Sequence, residues 1–149
     1  MKVDTKRKLV NGFEKHLQNP IIRTCLRVGI PLPPPWGALL ETTGNKTGKL
    51  RCNPVIKSVV GDQFWIIAEH GHRNDYVRNL KADPVVRVKI GRTWRTGRAT
   101  VLDGDDCKAR ARWLARELGG WARLDPLAAI FWTEPVTVRV DLDELPLAA

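Results

Sequence analysis

Alternating apolar and polar residues mark several β-strands in this chain. Val86, Val88 and Ile90 alternate with cations, and residues 136–142 carry Val or Leu at every second position. A period of two is typical of strands with one buried face. Phe64–Ala68 is instead apolar without interruption, which predicts a strand buried on both faces.

Three further strands complete the predicted sheet. Residues 38–43 and 51–60 predict one strand each, and Gly91-Arg92 predicts a two-residue hairpin link to a strand at 93–102. We therefore expect about six mostly antiparallel strands. An antiparallel sheet of this size tends to close into a small barrel, because closure removes the exposed edges.

Helical patterns lie between the predicted strands. Residues 75–81 predict a short helix that ends before Pro84. Acidic residues at 103–106 and the pair Gly119-Gly120 bound a second amphipathic helix. Residues 121–132 are compatible with a short helix or with a loop rich in Trp and Leu. The predicted fold class is α+β, with helices inserted between strands.

The first 35 residues have a different pattern. Two basic amphipathic helices are predicted, at about 4–17 and 21–28, followed by a proline-rich extended link. We favour packing of these helices on the barrel or on a partner, and peripheral contact with an anionic membrane is the alternative. Within a single globular domain, we divide the chain into residues 1–35, the helices and link, and residues 36–149, the barrel.

Composition points to an anionic partner. The chain has 149 residues, 43% of them hydrophobic, with a formal net charge of +9 and a pI of about 9.9. Three scattered cysteines argue against a disulfide framework or a zinc site, and no metal-ligand cluster is visible. No segment approaches the roughly 20 apolar residues that span a bilayer. We expect a cytoplasmic protein.

The strongest local signal is a glycine-containing turn between the first two predicted strands. Gly44 and Gly48 flank a segment that concentrates Lys46, Lys49 and Arg51. Glycines allow backbone N–H groups to converge on an anion, and the cations add full charge. An ordinary solvated turn fits the composition equally well. The segment is not a P-loop, because the residue order and the following helix are both absent.

The turn and a second segment resemble one known family. Thr42-Thr43-Gly44-Asn45-Lys46-Thr47-Gly48, then Arg51 and Pro54, is similar to the signature of the deazaflavin-dependent nitroreductase family of actinobacteria. Residues 67–71 and 79–84 resemble that family's next block. Asn45 stands where the family usually has a cation. The resemblance covers residues 38–102 well and the last strand loosely.

The resemblance implies a split β-barrel that binds reduced coenzyme F420, a deazaflavin with a phosphodiester and an oligoglutamate tail. By analogy, the phosphate and tail are held by Lys46, Thr47, Gly48 and Arg51, and the ring is approached by Asn53 and Pro54. The ring edge is lined by Ala68, Glu69, His70 and Gly71. Two residues of the following helix, Tyr76 and Asn79, contact the cofactor.

The implied reaction transfers a hydride from the deazaflavin to an electrophilic small molecule: a quinone, an enone or a nitro compound. The protein then orients the substrate, excludes water and supplies a proton. His70 and Tyr76 are the candidate proton donors, with solvent as the alternative source. Aromatic residues that could line the substrate pocket, or else belong to the core, are Trp36, Trp121, Phe131 and Trp132.

Other functions stay open at this point. A related split barrel could bind FMN instead, although an oligoglutamate tail needs the cationic turn more than FMN does. A non-enzymatic protein that binds lipids or other hydrophobic anions is a second alternative. Nucleic-acid binding is least favoured, because the cations are dispersed and no recognised motif is present. The sequence is compatible with a monomer or a homodimer.

Overall fold

A computed structural model describes residues 36–119 and 132–144 of the chain, and only the backbone of Trp36. These residues form seven strands, one 3₁₀ turn and two helices. The strands are β1 (Trp36–Thr43), β2 (Leu50–Ile56), β3 (Val59–Val60), β4 (Gln63–Ala68), β5 (Val85–Ile90), β6 (Thr93–Leu102) and β7 (Val136–Leu142); the turn is η1 (Gly71–Arg73), and the helices are α1 (Asp75–Ala82) and α2 (Cys107–Leu118).

All seven strands belong to one antiparallel sheet in the order β2-β1-β5-β6-β7-β4-β3. Its two edge strands, β2 and β3, are separated in the chain only by Lys57 and Ser58. Three residue steps span at most about 11 Å, so the two edges must lie close together. The sheet is therefore curled into a split barrel, and the predicted α+β class is confirmed.

The inner face of the curled sheet carries the main hydrophobic core. Alternate residues of β1, β4, β5, β6 and β7 point inward, as the period of two predicts. Helix α1 closes one end, where Leu80 joins this core and Val77 packs with Ala68 and Val136. The buried members of the core are Ala38, Leu40, Val55, Phe64, Ile66, Leu80, Val86, Val88, Ala99, Val138, Val140 and Leu142.

Helix α2 covers the outer face beside β4 and β7. The rings of Trp65 and Trp113 meet edge to face at 5.4 Å, and the Arg110 guanidinium lies over both rings. Cys107 Sγ lies 3.4 Å from Thr137 Oγ1 on β7. Strand β4 is thus covered on both sides, by the core and by α2, as its uninterrupted apolar sequence predicts.

Strand direction sorts the loops into two ends of the barrel. The end of β1, the start of β2, the end of β4 and the start of β7 all lie at the end that α1 closes. We call this end the site rim. The turn Gly91-Arg92 and the β2–β3 link lie at the other end, the opposite rim.

The structure corrects two details of the predicted sheet. The single strand expected at 51–60 is interrupted at Lys57 and Ser58, because β2 pairs with β1 while β3 pairs with β4 at the other edge. The sheet consequently has seven strands rather than about six. The N-terminal helices, the proline-rich link and most of segment 121–132 lie outside the described residues.

Candidate cofactor site

The loop between β1 and β2, residues 44–49, is tightly hydrogen-bonded within itself. Gly44 N–H donates to Lys49 O and Gly48 N–H donates to Gly44 O, both at 2.8 Å. Lys49 N–H donates to Thr47 Oγ1 at 3.3 Å. Gly48 has a φ of 70°, a conformation that favours glycine. We call residues 44–49 the hairpin loop.

Most N–H groups of the hairpin loop therefore already donate hydrogen bonds within the protein. The two glycines of the sequence suggested instead an open concavity lined by free N–H groups. Of the six N–H groups of this loop, those of Lys46 and Thr47 have no hydrogen-bond partner among the residues that the structure describes. Both residues are exposed at the tip of the loop. Two consecutive N–H groups next to an ammonium group are suited to an anionic oxygen.

Three cations lie in the hairpin loop or directly after it in the chain. Lys46, Lys49 and Arg51 are all exposed, and segment 44–51 contains no acidic residue. None of the three makes an ion pair with any residue that the structure describes. Their charge is consequently available to a ligand, and the loop forms a concentrated positive surface.

A buried side chain connects the hairpin loop to helix α1. Asn79 Nδ2–H donates to Thr42 Oγ1 at 3.2 Å, and Asn79 Oδ1 accepts from Asn45 N–H at 3.0 Å. Asn79 is 5% exposed and Thr42 is 1% exposed. Asn79 thus bridges the end of β1 and the start of the loop.

The three predicted site residues on β2 divide between the two faces of the sheet. Residues that pair across antiparallel strands point to the same side. Arg51 pairs with Thr42 and Asn53 pairs with Leu40, so both lie on the inner face beside α1. Pro54 lies on the outer face. Arg51 is closest along the strand to the hairpin loop.

The predicted ring edge, Ala68–Gly71, follows β4 on the site rim and contacts the segment that leads into β7. Thr133 N–H donates to Glu69 O at 2.8 Å, and His70 Nδ1 lies 2.6 Å from Thr133 Oγ1. His70 is only 3% exposed. The imidazole therefore links two segments of the rim, and its role as a proton donor stays a prediction.

Gly71 lies against the same segment. Its φ is 57°, and a Cβ built on it would overlap the carbonyl oxygen of Glu134. Glu134 itself has a φ of 51°, which is uncommon for a residue other than glycine. A glycine is thus required at position 71 by the packing of the protein itself, independently of any approach by a cofactor.

The remaining predicted residues are dispersed. Tyr76 on α1 is half-buried between the two core clusters, near Ala68. Trp132 is half-buried on the site rim, next to Thr133. Trp36 begins β1, eight residues or about 26 Å of strand from the start of the hairpin loop. Trp121 and Phe131 lie outside the described residues, so the predicted aromatic pocket stays a prediction.

Two groups at the start of α2 have shifted pKa values. The hydrogen bonds from the Arg110 guanidinium, at 3.1 Å, lower the pKa of Asp105 below its ordinary value, and Thr137 acts in the same direction. Burial raises the pKa of the Cys107 thiol. Both groups contribute to the packing of α2 on the outer face of the sheet, and neither belongs to the hairpin loop.

A further ion pair lies on the outer face of β1 and β5. Arg87 donates to both oxygens of Glu41, at 2.7 and 2.9 Å, and its guanidinium stacks over Trp94. The hydrogen bond to Glu41 raises the pKa of Arg87. Glu41 is almost fully buried, so this pair contributes to the structure of the sheet.

Sequence reasoning missed Thr42 and Thr133 as site residues. Each is buried, and each provides the hydroxyl that pairs with a predicted site residue, Asn79 or His70. The hydrogen-bonded residues are 37 and 63 positions apart, respectively. No local pattern in the sequence signals contacts at such separations.

Comparison with known families identifies the class of this protein. The sequence model of the F420H2-dependent quinone reductase family matches residues 18–143. The chain therefore belongs to the F420H2-dependent quinone reductase family. It is an F420-dependent oxidoreductase, and its cofactor is coenzyme F420.

Solved structures support the fold. An F420-H2-dependent reductase is 24% identical, with 76% of this chain and 97% of that chain covered and a TM-score of 0.52. A chain described as a domain-swapped dimer is 22% identical, with 82% and 95% covered and a TM-score of 0.53. A conserved hypothetical protein from Mycobacterium tuberculosis is 16% identical, with 89% and 90% covered and a TM-score of 0.50. At these identities the likeness concerns the fold alone.

Two further observations complete the comparison. Among curated proteins, none is significantly similar to this chain. In the two described segments, no helix is long and apolar enough to cross a membrane, and no group of three or more His, Cys, Asp or Glu side chains could hold a metal ion.

Proposed function

We propose that the hairpin loop holds the anionic tail of coenzyme F420 and that the chain reduces a quinone. The observation that carries the proposal is the group of three exposed cations, Lys46, Lys49 and Arg51, which have no acidic partner among the described residues. An unpaired cationic surface of this kind is suited to a polyanion. The family description favours a quinone over an enone or a nitro compound.

The residues of the loop fit the chemistry of the tail. A phosphodiester offers anionic oxygens to the N–H groups of Lys46 and Thr47 and to the Lys46 ammonium group. Arg51, on the inner face of β2, adds a planar guanidinium that pairs with phosphate or carboxylate oxygens in a bidentate manner. Gly48, with its positive φ, allows the loop to turn back toward Arg51.

The remaining predicted residues orient the ring and substrate in this proposal. When bound, reduced coenzyme F420 supplies a hydride to the substrate. Asn53, the segment Ala68–Gly71 and Tyr76 would hold the ring in this proposal, whereas Pro54 lies on the other face of β2. The Tyr76 hydroxyl is favoured over His70 for proton delivery, because His70 is almost fully buried and hydrogen-bonded to Thr133.

A fluorescence titration of the purified chain with coenzyme F420 tests the tail site. Lys46→Ala and Arg51→Ala should each weaken binding about tenfold, the effect of losing one charge-assisted contact. The matched controls are Lys57→Ala and Arg92→Ala, which remove one exposed cation each at the opposite rim. Equal losses in the controls would attribute the effect to net charge and contradict the proposed tail site.

Parallel measurements separate the alternatives. Tighter binding of FMN than of coenzyme F420 would contradict the tail assignment. Absence of binding to both, together with a co-purifying fatty acid, would favour a lipid-binding protein. Steady-state rates with a quinone, an enone and a nitro compound then test the substrate class. A higher kcat/KM for the quinone supports the proposal, whereas a higher value for either of the others overturns that part of it.

The assembly and location of the chain are separate parts of the proposal. A homodimer is suggested by the similar chain that is described as a domain-swapped dimer, and analytical ultracentrifugation distinguishes it from a monomer. Location in the cytoplasm stays a prediction, and flotation with anionic vesicles tests the alternative that residues 1–35 contact a membrane surface.

A further inference from the structure

We propose that Asn79 is a positioning residue that holds the hairpin loop in the conformation able to bind the cofactor tail, acting through the loop rather than by contact with the cofactor. The inference rests on the proposed function of the loop. It assigns to Asn79 a role different from direct cofactor contact, which the sequence suggested.

The hydrogen bonds of Asn79 use both ends of its amide. The Nδ2 group donates to Thr42 Oγ1, and Oδ1 accepts the backbone N–H of Asn45. At 5% exposure the side chain presents little surface to a ligand. Burial of both polar ends requires that both be hydrogen-bonded, because an unpaired amide in the interior is costly.

The bond to Asn45 fixes the start of the loop. Asn45 N–H immediately precedes the N–H groups of Lys46 and Thr47, which are those left for a ligand. The bond from Gly44 N–H to Lys49 O closes the base of the loop. With its base and Asn45 held, the loop presents both free N–H groups before any ligand arrives.

Preorganisation of this kind affects affinity through populations. If only part of the protein has the binding-competent loop, the apparent Kd rises by the inverse of that fraction. Loss of the Asn79 bridge should therefore raise the Kd for coenzyme F420 by about tenfold if about a tenth of the loops remain competent. The ring contacts and the rate at saturating cofactor should not change.

The test compares coenzyme F420 with a deazaflavin that lacks the phosphodiester and glutamate tail. Asn79→Ala removes the bridge, and Asn45→Pro removes the N–H that Asn79 accepts. Asn45→Ala is the matched control, because it keeps that N–H and deletes only the Asn45 side chain. Thr42→Val removes the other partner and Thr42→Ser restores a hydroxyl. Urea unfolding verifies that each variant is folded.

The proposal predicts a specific pattern. The Kd for coenzyme F420 rises about tenfold in Asn79→Ala and in Asn45→Pro and is unchanged in Asn45→Ala. The Kd for the tail-less deazaflavin stays the same in all variants, as does kcat at saturating coenzyme F420. If Asn79→Ala does not fold, the same comparison is made between Asn45→Pro and Asn45→Ala and between Thr42→Val and Thr42→Ser.

Two results would overturn the proposal while leaving the proposed function intact. Equal weakening of the tail-less deazaflavin in Asn79→Ala would mean that Asn79 acts on the ring or on the whole domain. Equal weakening by Asn45→Ala and Asn45→Pro would mean that the Asn45 side chain, not its N–H, is important. Failure of the unaltered chain to bind coenzyme F420 at all would instead overturn the proposed function and this inference together.

Discussion

The two helices of the described chain begin in different ways. Helix α2 follows Gly104 and starts at Asp106, whose carboxylate accepts the N–H of Ala109 at 3.1 Å. Helix α1 follows Gly71 and starts at Asn74, whose side chain makes no capping hydrogen bond. The start of α2 is thus stabilised by its own neighbouring residues, whereas that of α1 depends on contacts from elsewhere in the chain.

The difference corresponds to what each helix does. Helix α2 lies on the outer face and packs against β4 and β7, through contacts such as Trp113 on Trp65. Helix α1 closes the barrel at the site rim, and its Asn79 holds the hairpin loop. Helix α1 is thus positioned by long-range hydrogen bonds and a close backbone contact. Helix α2 is positioned by its own cap and by its contacts with the outer face of the sheet.

The largest expected effect comes from the glycines that precede the helices. Gly71→Ala should lower the free energy of unfolding by about 3 kcal/mol or more, because it combines a positive φ with overlap on Glu134 O. Gly104→Ala is the matched control, since nothing lies within 4 Å of its added Cβ, and it should change stability by less than about 0.5 kcal/mol. Urea denaturation measures both. Similar losses in the two variants would refute the idea that only the start of α1 depends on a tertiary contact.

An intermediate effect is expected at the caps. Asp106→Ala should cost about 1 kcal/mol, because the N–H of Ala109 loses its acceptor, and Asp106→Ser should recover most of it. Asn74→Ala should cost less than about 0.5 kcal/mol, because its side chain caps nothing. Thermal and urea unfolding of the three variants provide the comparison. A larger loss in Asn74→Ala than in Asp106→Ala would reverse our assignment.

The smallest effect is a dependence on pH at the start of α2. The pKa of Asp105 is lowered in the folded protein by the hydrogen bonds from Arg110. Its stabilising contribution is therefore present above the unfolded pKa of about 3.9 and is lost as the pH falls through the lower folded value. Between about pH 5 and about pH 2, the free energy of unfolding of the unaltered chain should therefore fall by more than that of the Asp105→Asn variant. Parallel losses in the two proteins would show that Asp105 does not contribute.

Local patterns predicted most of the fold. The strands at 93–102 and 136–142 have the predicted bounds, and α2 ends before Gly119 as expected, because alternation, caps and glycines are properties of neighbouring residues. The interruption between β2 and β3 was missed. Neither Lys57 nor Ser58 is a glycine or proline that would interrupt a strand. Strands β2 and β3 are separate only because they pair with different strands, β1 and β4.

The sequence by itself determined the elements of this protein, the cationic character of its hairpin loop and its resemblance to deazaflavin-dependent enzymes. Only the tertiary structure decided which N–H groups of that loop remain for a ligand, and that Asn79 and Thr42 hold it. It also decided that Gly71 lies against Glu134. The physical reason is that these contacts join residues 34 to 63 positions apart, and they exist only once the curled sheet brings the strand ends to one rim.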